Sequence, residues 1–366
     1  MLIPENTLIP QQTVYKPQSI DMLGRLCAQF GANGIIVHGR SLERSGKAEK
    51  ISKLFGKGAA ALYLHPGGEP TLDDVDTLTG FAREKSASWI AGIGGGSVID
   101  LSKASAGLFN AEYSSEHYQA GNVLEKRGIP FIAVPTTAGT GSEATKNSVI
   151  INKKTMQKLS IRDDSFTPVC VVLDALLLKN APKEVIAHAG MDALTQAIES
   201  YFSTGASWFS DCFALKAFGL VISNLEDMYV SFDEEKASEL LLGSYFAGIA
   251  LANARLGVVH GLAHPLGALY DLPHGYLCAF LLPYALELNK STVAEKYSIL
   301  SENAGGDLLE KVHDMNTLFS ISNPFKDKEI KNKNDIIQAT VSSGSTKANP
   351  VRVTENIVND LINKIF

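Results

Sequence analysis

The chain has 366 residues, of which 45% are hydrophobic and 20% are charged, and its formal net charge is −6. This balance predicts a folded globular chain with room for two domains. The acidic net charge and the lack of a basic run argue against a nucleic-acid partner. No stretch approaches the roughly 20 apolar residues of a membrane span, and the N-terminus lacks the pattern of a signal peptide. The four cysteines show no C-x-x-C spacing, so we expect reduced thiols and a cytoplasmic location.

The first half of the chain alternates short apolar runs with helix-like segments. The runs that predict strands are 34–37, 61–64, 91–93, 131–134, 148–152 and 169–173. This alternation predicts a mostly parallel sheet with helices on both of its faces. From Lys183 onward the strand pattern ends and long helical patterns follow, including a continuous one over 235–259. We therefore predict an α/β N-terminal domain over 1–178 and an all-α C-terminal domain over 179–366.

A glycine-rich turn follows the apolar run that ends at Ile93. It consists of Gly94, Gly95, Gly96 and Ser97, and the helical pattern that contains Asp100 begins directly after it. Glycines let the backbone turn tightly and approach an anion, and the start of a helix adds unpaired amides and the positive end of its dipole. The pattern favours a phosphate-binding turn, although a turn of this kind can also be purely structural.

A second turn, rich in hydroxyl groups, follows the strand predicted at 131–134. Its polar side chains include Thr136, Thr137, Thr140 and Ser142, and two glycines separate them. These groups could donate hydrogen bonds to phosphate, ribose or amide groups of a nucleotide. The alternative is a loop that only caps the next helix.

Metal-ligating residue types concentrate in two stretches of the second half. Asp192 and Gln196 have the i, i+4 spacing that places side chains on one helix face, and His260 and His264 repeat that spacing. His274 follows after a proline-containing loop. A carboxylate and imidazoles suit a divalent cation such as zinc or ferrous iron. The alternative is a set of polar residues with ordinary hydrogen bonds. For Cys278, a packed thiol is the preferred interpretation.

Four segments together resemble the motifs of the iron-containing (group III) alcohol dehydrogenase family. The segments 94–100, 135–143, 190–199 and 260–275 match in residues, order and spacing, so the resemblance covers essentially the whole chain. The ending 349–354 is a looser match, because its arginine lies one place later than in the family. The resemblance implies an NAD(P)-dependent enzyme that transfers hydride between a nicotinamide and a primary alcohol or aldehyde. It also implies a homodimer or larger homo-oligomer.

The resemblance assigns roles to the residues of the second half. Asp192, His260 and His274 match three of the family's ligands to iron or zinc, which acts as a Lewis acid on the substrate hydroxyl. Gln196 stands where most members carry the fourth ligand, a histidine, and an amide oxygen is a weaker donor. We nevertheless expect the metal to be retained, with Gln196 or a water completing the site. His264 matches a histidine linked to proton relay.

The resemblance also places the cofactor in the first half of the chain. The expected cofactor-binding residues at the two turns and beside them are Gly94, Gly95, Gly96, Ser97, Asp100, Thr136, Thr137, Thr140, Ser142 and Lys158. Gly39 stands where NAD-preferring members carry an aspartate, and Arg40 and Ser41 are suited to a 2′-phosphate. We therefore predict NADP, with NAD left open because the acidic Glu43 is close and because Arg40 could be a solvated loop residue.

Arg255 is the substrate-binding candidate, because many family members have glycine there and His260 follows five residues later. An arginine at this position could bind a carboxylate or phosphate, which favours an anionic polyol or sugar acid, as in the 3-deoxy-manno-octulosonate 8-oxidase-like branch. The alternative is a salt bridge to a neighbouring acid. Two rival functions stay open: a glycerol-dehydrogenase- or dehydroquinate-synthase-like enzyme of the same superfamily, and a metal-free binding descendant, which Gln196 alone supports.

Overall fold

The computed structural model describes residues 4, 6–44, 46–56, 58–155 and 157–366. They form two compact units, Leu8–Asn180 and Ala181–Phe366, the second together with residues 4, 6 and 7. The strands in chain order are β1 (Thr13–Tyr15), β2 (Gly34–His38), β3 (Ala60–Leu64), β4 (Trp89–Gly94), β5 (Phe131–Pro135), β6 (Asn147–Asn152), β7 (Gln157–Arg162) and β8 (Cys170–Leu173). The α-helices of the first unit are α1 (Leu23–Cys27), α2 (Arg40–Arg44), α3 (Lys47–Ser52), α4 (Leu72–Glu84), α5 (Gly96–Gly107) and α6 (Ser115–Gln119).

The first unit contains a six-stranded parallel sheet in the order β1-β8-β5-β4-β2-β3, which confirms the predicted α/β class. Strands β2, β4 and β5 are buried along their whole length, as expected for a sheet covered on both sides. The chain runs from β2 to β3 on one side and returns to β4 on the other side of β2. The connections therefore change direction between β2 and β4, and ligands of such sheets bind beside the carboxyl ends of the strands at this point.

One predicted strand lies outside the parallel sheet. The run at 148–152 belongs to β6, which pairs antiparallel with β7 in a separate two-stranded ribbon. The connection between β6 and β7 is too short for the crossover of a dozen or more residues that parallel strands require, so these strands form a hairpin. Strand β7 was not predicted, because its polar residues interrupt the apolar pattern.

The second unit is helical throughout its described residues. Its helices are α7 (Lys183–Phe202), α8 (Trp208–Val230), α9 (Glu234–Ala254), α10 (Val258–Tyr270), α11 (His274–Asn289), α12 (Ala294–Ala304), α13 (Leu308–Leu318), α14 (Lys333–Ser342) and α15 (Glu355–Ile365). Helix α7 begins directly after Pro182, packs against α8, α9 and α11, and is buried from Gly190 to its end. Its central position brings its polar residues into the interior of the unit.

The helix predicted over 235–259 is broken in the structure. Helix α9 ends at Ala254, Arg255 has a φ of 67°, and α10 begins at Val258 in a direction that differs by 104°. A left-handed residue cannot continue a right-handed helix, so the chain turns there. No single described helix is long and apolar enough to cross a membrane. Taken together, the bent pair of α9 and α10 is long and apolar enough by length and composition only.

Candidate metal centre and cofactor turn

Three helices of the second unit bring metal-ligating side chains together. Asp192 lies in the middle of α7, His260 in the first turn of α10, and His274 is the first residue of α11. Asp192 Oδ1 lies 3.2 Å from His260 Nε2 and 3.8 Å from His274 Nε2. The side chains of Asp192 and His260 are buried, whereas that of His274 is 23% exposed. The centre therefore opens to solvent on the His274 side.

Cys278 adds a sulfur atom to this group. Its Sγ lies 3.8 Å from His260 Nε2 and 3.6 Å from His274 Nε2. The donor atoms of Asp192, His260, His274 and Cys278 all lie within 4.8 Å of one another. Burial raises the pKa of the Cys278 thiol to about 12, so the sulfur keeps its proton unless a cation replaces it.

The donor separations fit a tetrahedral metal site. Zinc bonds of about 2.0–2.2 Å to nitrogen and oxygen and about 2.3 Å to sulfur imply donor separations of about 3.4 Å and about 3.6 Å. Four of the six separations in the structure lie between 3.2 and 3.8 Å, and all six are within 4.8 Å. A carboxylate, two imidazoles and a thiol are also the ligand types that zinc and ferrous iron accept. The residues present therefore fit a divalent transition metal.

Glu199 holds the first histidine in place, a role that the sequence reasoning missed. Its Oε2 lies 2.6 Å from His260 Nδ1, and its Oε1 accepts a hydrogen bond from Val259 N at 2.7 Å. A proton shared on the Nδ1 side directs the lone pair of Nε2 toward Asp192 and Cys278. Burial alone would lower the pKa of His260, but Cys278, Asp192 and Glu199 raise it well above its ordinary value.

Gly257 lets the start of α10 approach these acceptors closely. A Cβ at Gly257 would lie 2.7 Å from Glu199 Oε1 and 2.9 Å from Asn349 Oδ1. Asn349 Oδ1 accepts from Val258 N at 3.2 Å, so two amides of the first turn have side-chain acceptors. Since α10 carries His260, this capping fixes the ligand as well as the helix end.

Gln196 and His264 lie beside the centre. The amide nitrogen of Gln196 donates to Asp192 Oδ1 at 3.0 Å, and its side chain is buried. The half-buried His264 ring stacks on that of His274 with centroids 5.1 Å apart and an interplanar angle of 14°. The structure thus brings together all five of the predicted residues Asp192, Gln196, His260, His264 and His274. Their roles as ligands and proton relay stay predictions.

In the first unit, the two predicted turns lie next to each other. Strand β4 ends at Gly94, and Gly95 precedes the first residue of α5. A Cβ at Gly96 would lie 2.7 Å from Thr140 Cγ2, and one at Gly95 would lie 3.4 Å from Thr137 Oγ1. Thr136 N donates to Gly94 O at 2.9 Å. Glycine is therefore required where the hydroxyl-rich turn covers the start of α5, whose unpaired amides can bind an anion.

A buried network of hydrogen bonds with side chains of α5 holds the second turn in place. Ser142 Oγ donates to Asp100 Oδ1, and Asp100 Oδ2 accepts from Val149 N at 3.1 Å. Lys103 Nζ donates to the carbonyl oxygens of Ser142 and Asn147, at 2.6 Å each. Burial lowers the pKa of Lys103 to about 8. Because these bonds engage the side chains of Asp100 and Ser142 inside the unit, both residues have a structural role, whereas their contact with a cofactor stays a prediction.

The remaining predicted cofactor residues lie at the protein surface or close to it. Ser97 lies in the first turn of α5, and Lys158 Nζ on β7 forms an ion pair with Glu69 Oε1 at 2.8 Å. Gly39 follows β2, and Arg40 and Ser41 are the exposed first residues of α2. Arg40 Nη2 donates to Pro66 O at 2.8 Å, which holds the guanidinium beside the carboxyl ends of β2 and β3.

The substrate-binding candidate Arg255 is exposed and has left-handed backbone geometry. Left-handed geometry explains why glycine suits this position, since a side chain there costs roughly 1–2 kcal/mol. Among the residues that the structure describes, no acidic side chain forms an ion pair with Arg255. The salt-bridge alternative therefore gains no support from the geometry.

Comparison with protein families gives two matches that together span nearly the whole chain. Residues 10–175 match the family described as iron-containing alcohol dehydrogenase. Residues 186–366 match the C-terminal domain of the Fe-containing alcohol dehydrogenase family. The chain belongs to the iron-containing alcohol dehydrogenase family. This confirms the predicted family and identifies the chain as an NAD(P)-dependent alcohol dehydrogenase. The family implies NAD(P) and an iron or other divalent metal ion.

Individual relatives agree with this assignment. The chain is 30% identical to an NADPH-dependent butanol dehydrogenase of Clostridium saccharobutylicum, over 98% of this chain and 96% of the relative. It is 32% identical to a lactaldehyde reductase of Escherichia coli (strain K12), over 88% and 90%. A sulfoacetaldehyde reductase from Bifidobacterium kashiwanohense, solved in complex with NAD+, has a TM-score of 0.92 at 26% identity, covering 100% of this chain and 99% of that one. Relatives of this kind are alcohol and aldehyde oxidoreductases.

Proposed function

We propose that this iron-containing alcohol dehydrogenase is a metal-dependent oxidoreductase that prefers NADP and acts on a small alcohol or aldehyde carrying an anionic group. The observation that supports it most is the cluster of metal-ligating donors around Asp192, His260 and His274, all within 4.8 Å. These three residues would hold the metal, with Gln196 beside them as the predicted fourth partner. When bound, the metal and the nicotinamide would supply Lewis-acid polarisation of the substrate oxygen and the hydride acceptor or donor.

The residues around the metal ligands then have defined tasks. Glu199 keeps the proton of His260 on Nδ1, which leaves Nε2 available to a cation. His264 lies on the open side, with its ring against His274, and would exchange the alcohol proton with solvent. Both tasks need a ring nitrogen in a fixed orientation, and the packing of His264 on His274 limits how its ring can turn.

Replacing His260 tests the metal and the enzyme activity together. Because His260 donates from inside the cluster, His260→Ala should lower both the metal content per chain and the turnover of alcohols with NADP. His313→Ala removes an exposed histidine of α13 that is not part of the cluster, so it is the matched control and should change neither. A His260→Ala protein that keeps its metal or its full activity would refute the assignment. Absence of both bound metal and turnover in the unsubstituted protein would favour the metal-free binding descendant.

The preference for NADP rests on the carboxyl end of β2, beside the point where the sheet connections change direction. There Arg40 is exposed, and its bond to Pro66 O holds the guanidinium in place. A guanidinium forms paired hydrogen bonds with a phosphate, whereas the hydroxyl group of NAD offers it no charge. Relatives use both cofactors, since one is named NADPH-dependent and another was solved with NAD+.

Arg40→Ala tests this preference directly. Losing a charge-assisted bond to the 2′-phosphate should weaken NADPH by about 1.5–3 kcal/mol, or roughly 10- to 150-fold. NADH should change much less. Arg44→Ala removes another arginine from the same helix and serves as the control. Equal losses for both cofactors, or tighter binding of NADH by the unsubstituted protein, would contradict the preference.

The anionic substrate is inferred from Arg255. Its guanidinium is exposed, has no ion-pair partner among the described residues, and stands at a position whose backbone disfavours any side chain. One relative is named a sulfoacetaldehyde reductase, and sulfoacetaldehyde is an anionic aldehyde. A sugar acid, as in the 3-deoxy-manno-octulosonate 8-oxidase-like branch, is the bulkier member of the same substrate class.

Paired substrates test the role of Arg255. Arg255→Ala should lower kcat/KM for carboxylate- or sulfonate-bearing aldehydes by roughly 10- to 150-fold, the loss of one charge-assisted hydrogen bond. Neutral aldehydes of similar length should be nearly unaffected. Lys216→Ala, which removes an exposed positive charge on α8, should spare both classes. An equal loss on neutral and anionic substrates would show that Arg255 supports the fold instead.

A further inference from the structure

Cys278 occupies a position in the metal cluster that its sequence context did not predict. It lies one helical turn after His274 on α11, and its Sγ faces the Nε2 atoms of two predicted ligands. We propose that Cys278 is a metal ligand through its thiolate, and that Gln196 supports Asp192 by hydrogen bonding instead of binding the metal. This proposal rests on the proposed function, because it concerns the metal centre of the same enzyme.

The geometry of α11 explains how one helix supplies two donors. His274 begins the helix, so Cys278 stands at i+4 on the same face. The distances from Sγ to His260 Nε2 and His274 Nε2, 3.8 and 3.6 Å, are close to the separation of about 3.6 Å between sulfur and nitrogen donors of a tetrahedral zinc. Without a metal, the thiol can donate a weak hydrogen bond to one of these nitrogens at a time, whereas a metal would use the sulfur and both nitrogens together.

Gln196 makes a different contact. Its amide nitrogen donates to Asp192 Oδ1, the carboxylate oxygen nearest to both imidazoles. An N–H donor aimed at a ligating carboxylate orients that carboxylate, which is the usual task of a residue behind a metal ligand. The chain thus carries a neutral amide hydrogen-bonded to Asp192 and a sulfur donor on α11, and this sulfur lies within 4.8 Å of the donor atoms of Asp192, His260 and His274.

Binding of a metal by Cys278 exchanges the thiol proton for the metal and involves no electron transfer. The S–H bond of Cys278 breaks, a metal–sulfur bond forms, and the proton leaves to solvent. A thiolate is a softer donor than an amide oxygen or a carboxylate, so it favours zinc over magnesium or manganese. With four protein donors in place, a substrate oxygen would add as a fifth ligand from the exposed side of His274.

Spectroscopy on the intact protein tests the sulfur ligand without relying on activity. X-ray absorption of the zinc-loaded protein should show one sulfur neighbour at about 2.3 Å beside nitrogen and oxygen neighbours at about 2.0–2.2 Å. Substitution by Co²⁺ should give a thiolate-to-cobalt charge-transfer band in the near ultraviolet, in addition to the visible bands of a tetrahedral site. Neither measurement requires a variant.

Variants then assign the sulfur. Cys278→Ser should abolish the charge-transfer band and weaken zinc binding at least about tenfold, measured by competition with a chromophoric chelator. Cys212→Ser, on α8 and exposed, is the matched control and should keep both. Gln196→Ala should also keep the band, because the band arises from the sulfur ligand alone.

The outcomes separate this proposal from the proposed function. One metal per chain without a sulfur neighbour overturns the role of Cys278 and leaves the metal enzyme intact. A charge-transfer band that persists in Cys278→Ser does the same. A chain that binds no zinc and no cobalt overturns both, because the cluster itself is then not a metal site.

Discussion

Glu199→Gln should disturb either the imidazole of His260 or the first turn of α10, because Glu199 accepts a hydrogen bond from each. A glutamine has nearly the same shape but only one acceptor atom, whereas Glu199 accepts at both oxygens, from Val259 N and His260 Nδ1. If the amide oxygen stays on Val259 N, the amide nitrogen faces Nδ1 and forces the imidazole proton onto Nε2. If the amide turns over, its nitrogen faces the N–H of Val259 and the helix loses an acceptor. Each arrangement loses one charge-assisted hydrogen bond, about 1.5–3 kcal/mol.

The effect on the metal follows from the first arrangement. A protonated Nε2 cannot bind a cation, and loss of such a supporting carboxylate costs about 10- to 100-fold in metal affinity, or about 1.4–2.7 kcal/mol. The assay is a zinc competition titration, with the increase in Tm on adding zinc as an independent readout. Glu239→Gln is the control, because Glu239 accepts from the side chain of Asn224 and from none of the metal-ligating residues that the structure describes. Wild-type zinc affinity in Glu199→Gln would refute the reasoning, as would an equal loss in the control.

Three further substitutions give smaller, well-defined effects. Gly39→Asp should shift the cofactor preference toward NADH by at least about tenfold in a kinetic comparison, because an acidic group repels a 2′-phosphate. The fold should tolerate the new side chain, since a Cβ at this position would meet Val98 Cγ2 at an ordinary contact distance of 3.5 Å. Glu143→Gln removes a carboxyl group whose pKa is raised by burial from 4.5 to about 7. Because the folded protein holds this proton more tightly than the unfolded chain, the unsubstituted protein should lose stability relative to the variant as the pH rises from about 4.5 to about 7. The loss should reach about 3 kcal/mol. A constant difference in urea midpoints across that range would contradict this sign. Arg255→Gly should raise the free energy of unfolding by about 1 kcal/mol relative to Arg255→Ala, measured by urea unfolding, while both variants lose the charge.

Much of the fold was predictable because its signals are local. The buried strands β2, β4 and β5 are continuous apolar runs, and the glycines after β4 require a close turn whatever the rest of the chain does. The pairing of β6 was not predictable in this way, because an apolar run does not say which strand it will pair with. The short connection to β7 makes β7 the partner of β6, and β7 was not recognised as a strand because its sequence is largely polar.

At the candidate metal centre, two residues had signals in the sequence that were not used: Glu199, which was given no role, and Cys278, which was interpreted as a packed thiol. Glu199 stands seven residues after Asp192, a spacing that returns to the same helix face. Cys278 stands four residues after His274, but this spacing has meaning only if His274 belongs to a helix. Because a proline precedes His274, the sequence suggested a loop there. In the structure Pro273 lies immediately before the helix, a place where proline is well tolerated, and α11 starts at His274 itself.

Arg255 links the backbone break to the substrate specificity that we propose. The chain must turn between α9 and α10 so that the first amides of α10 reach Glu199 and Asn349, and this turn requires a left-handed residue at 255. Glycine would satisfy the requirement without strain, so an arginine there costs stability. The same turn fixes the exposed guanidinium a short distance along the chain from His260. A side chain retained against the preference of its own backbone is best explained by what it binds, and a guanidinium binds anions.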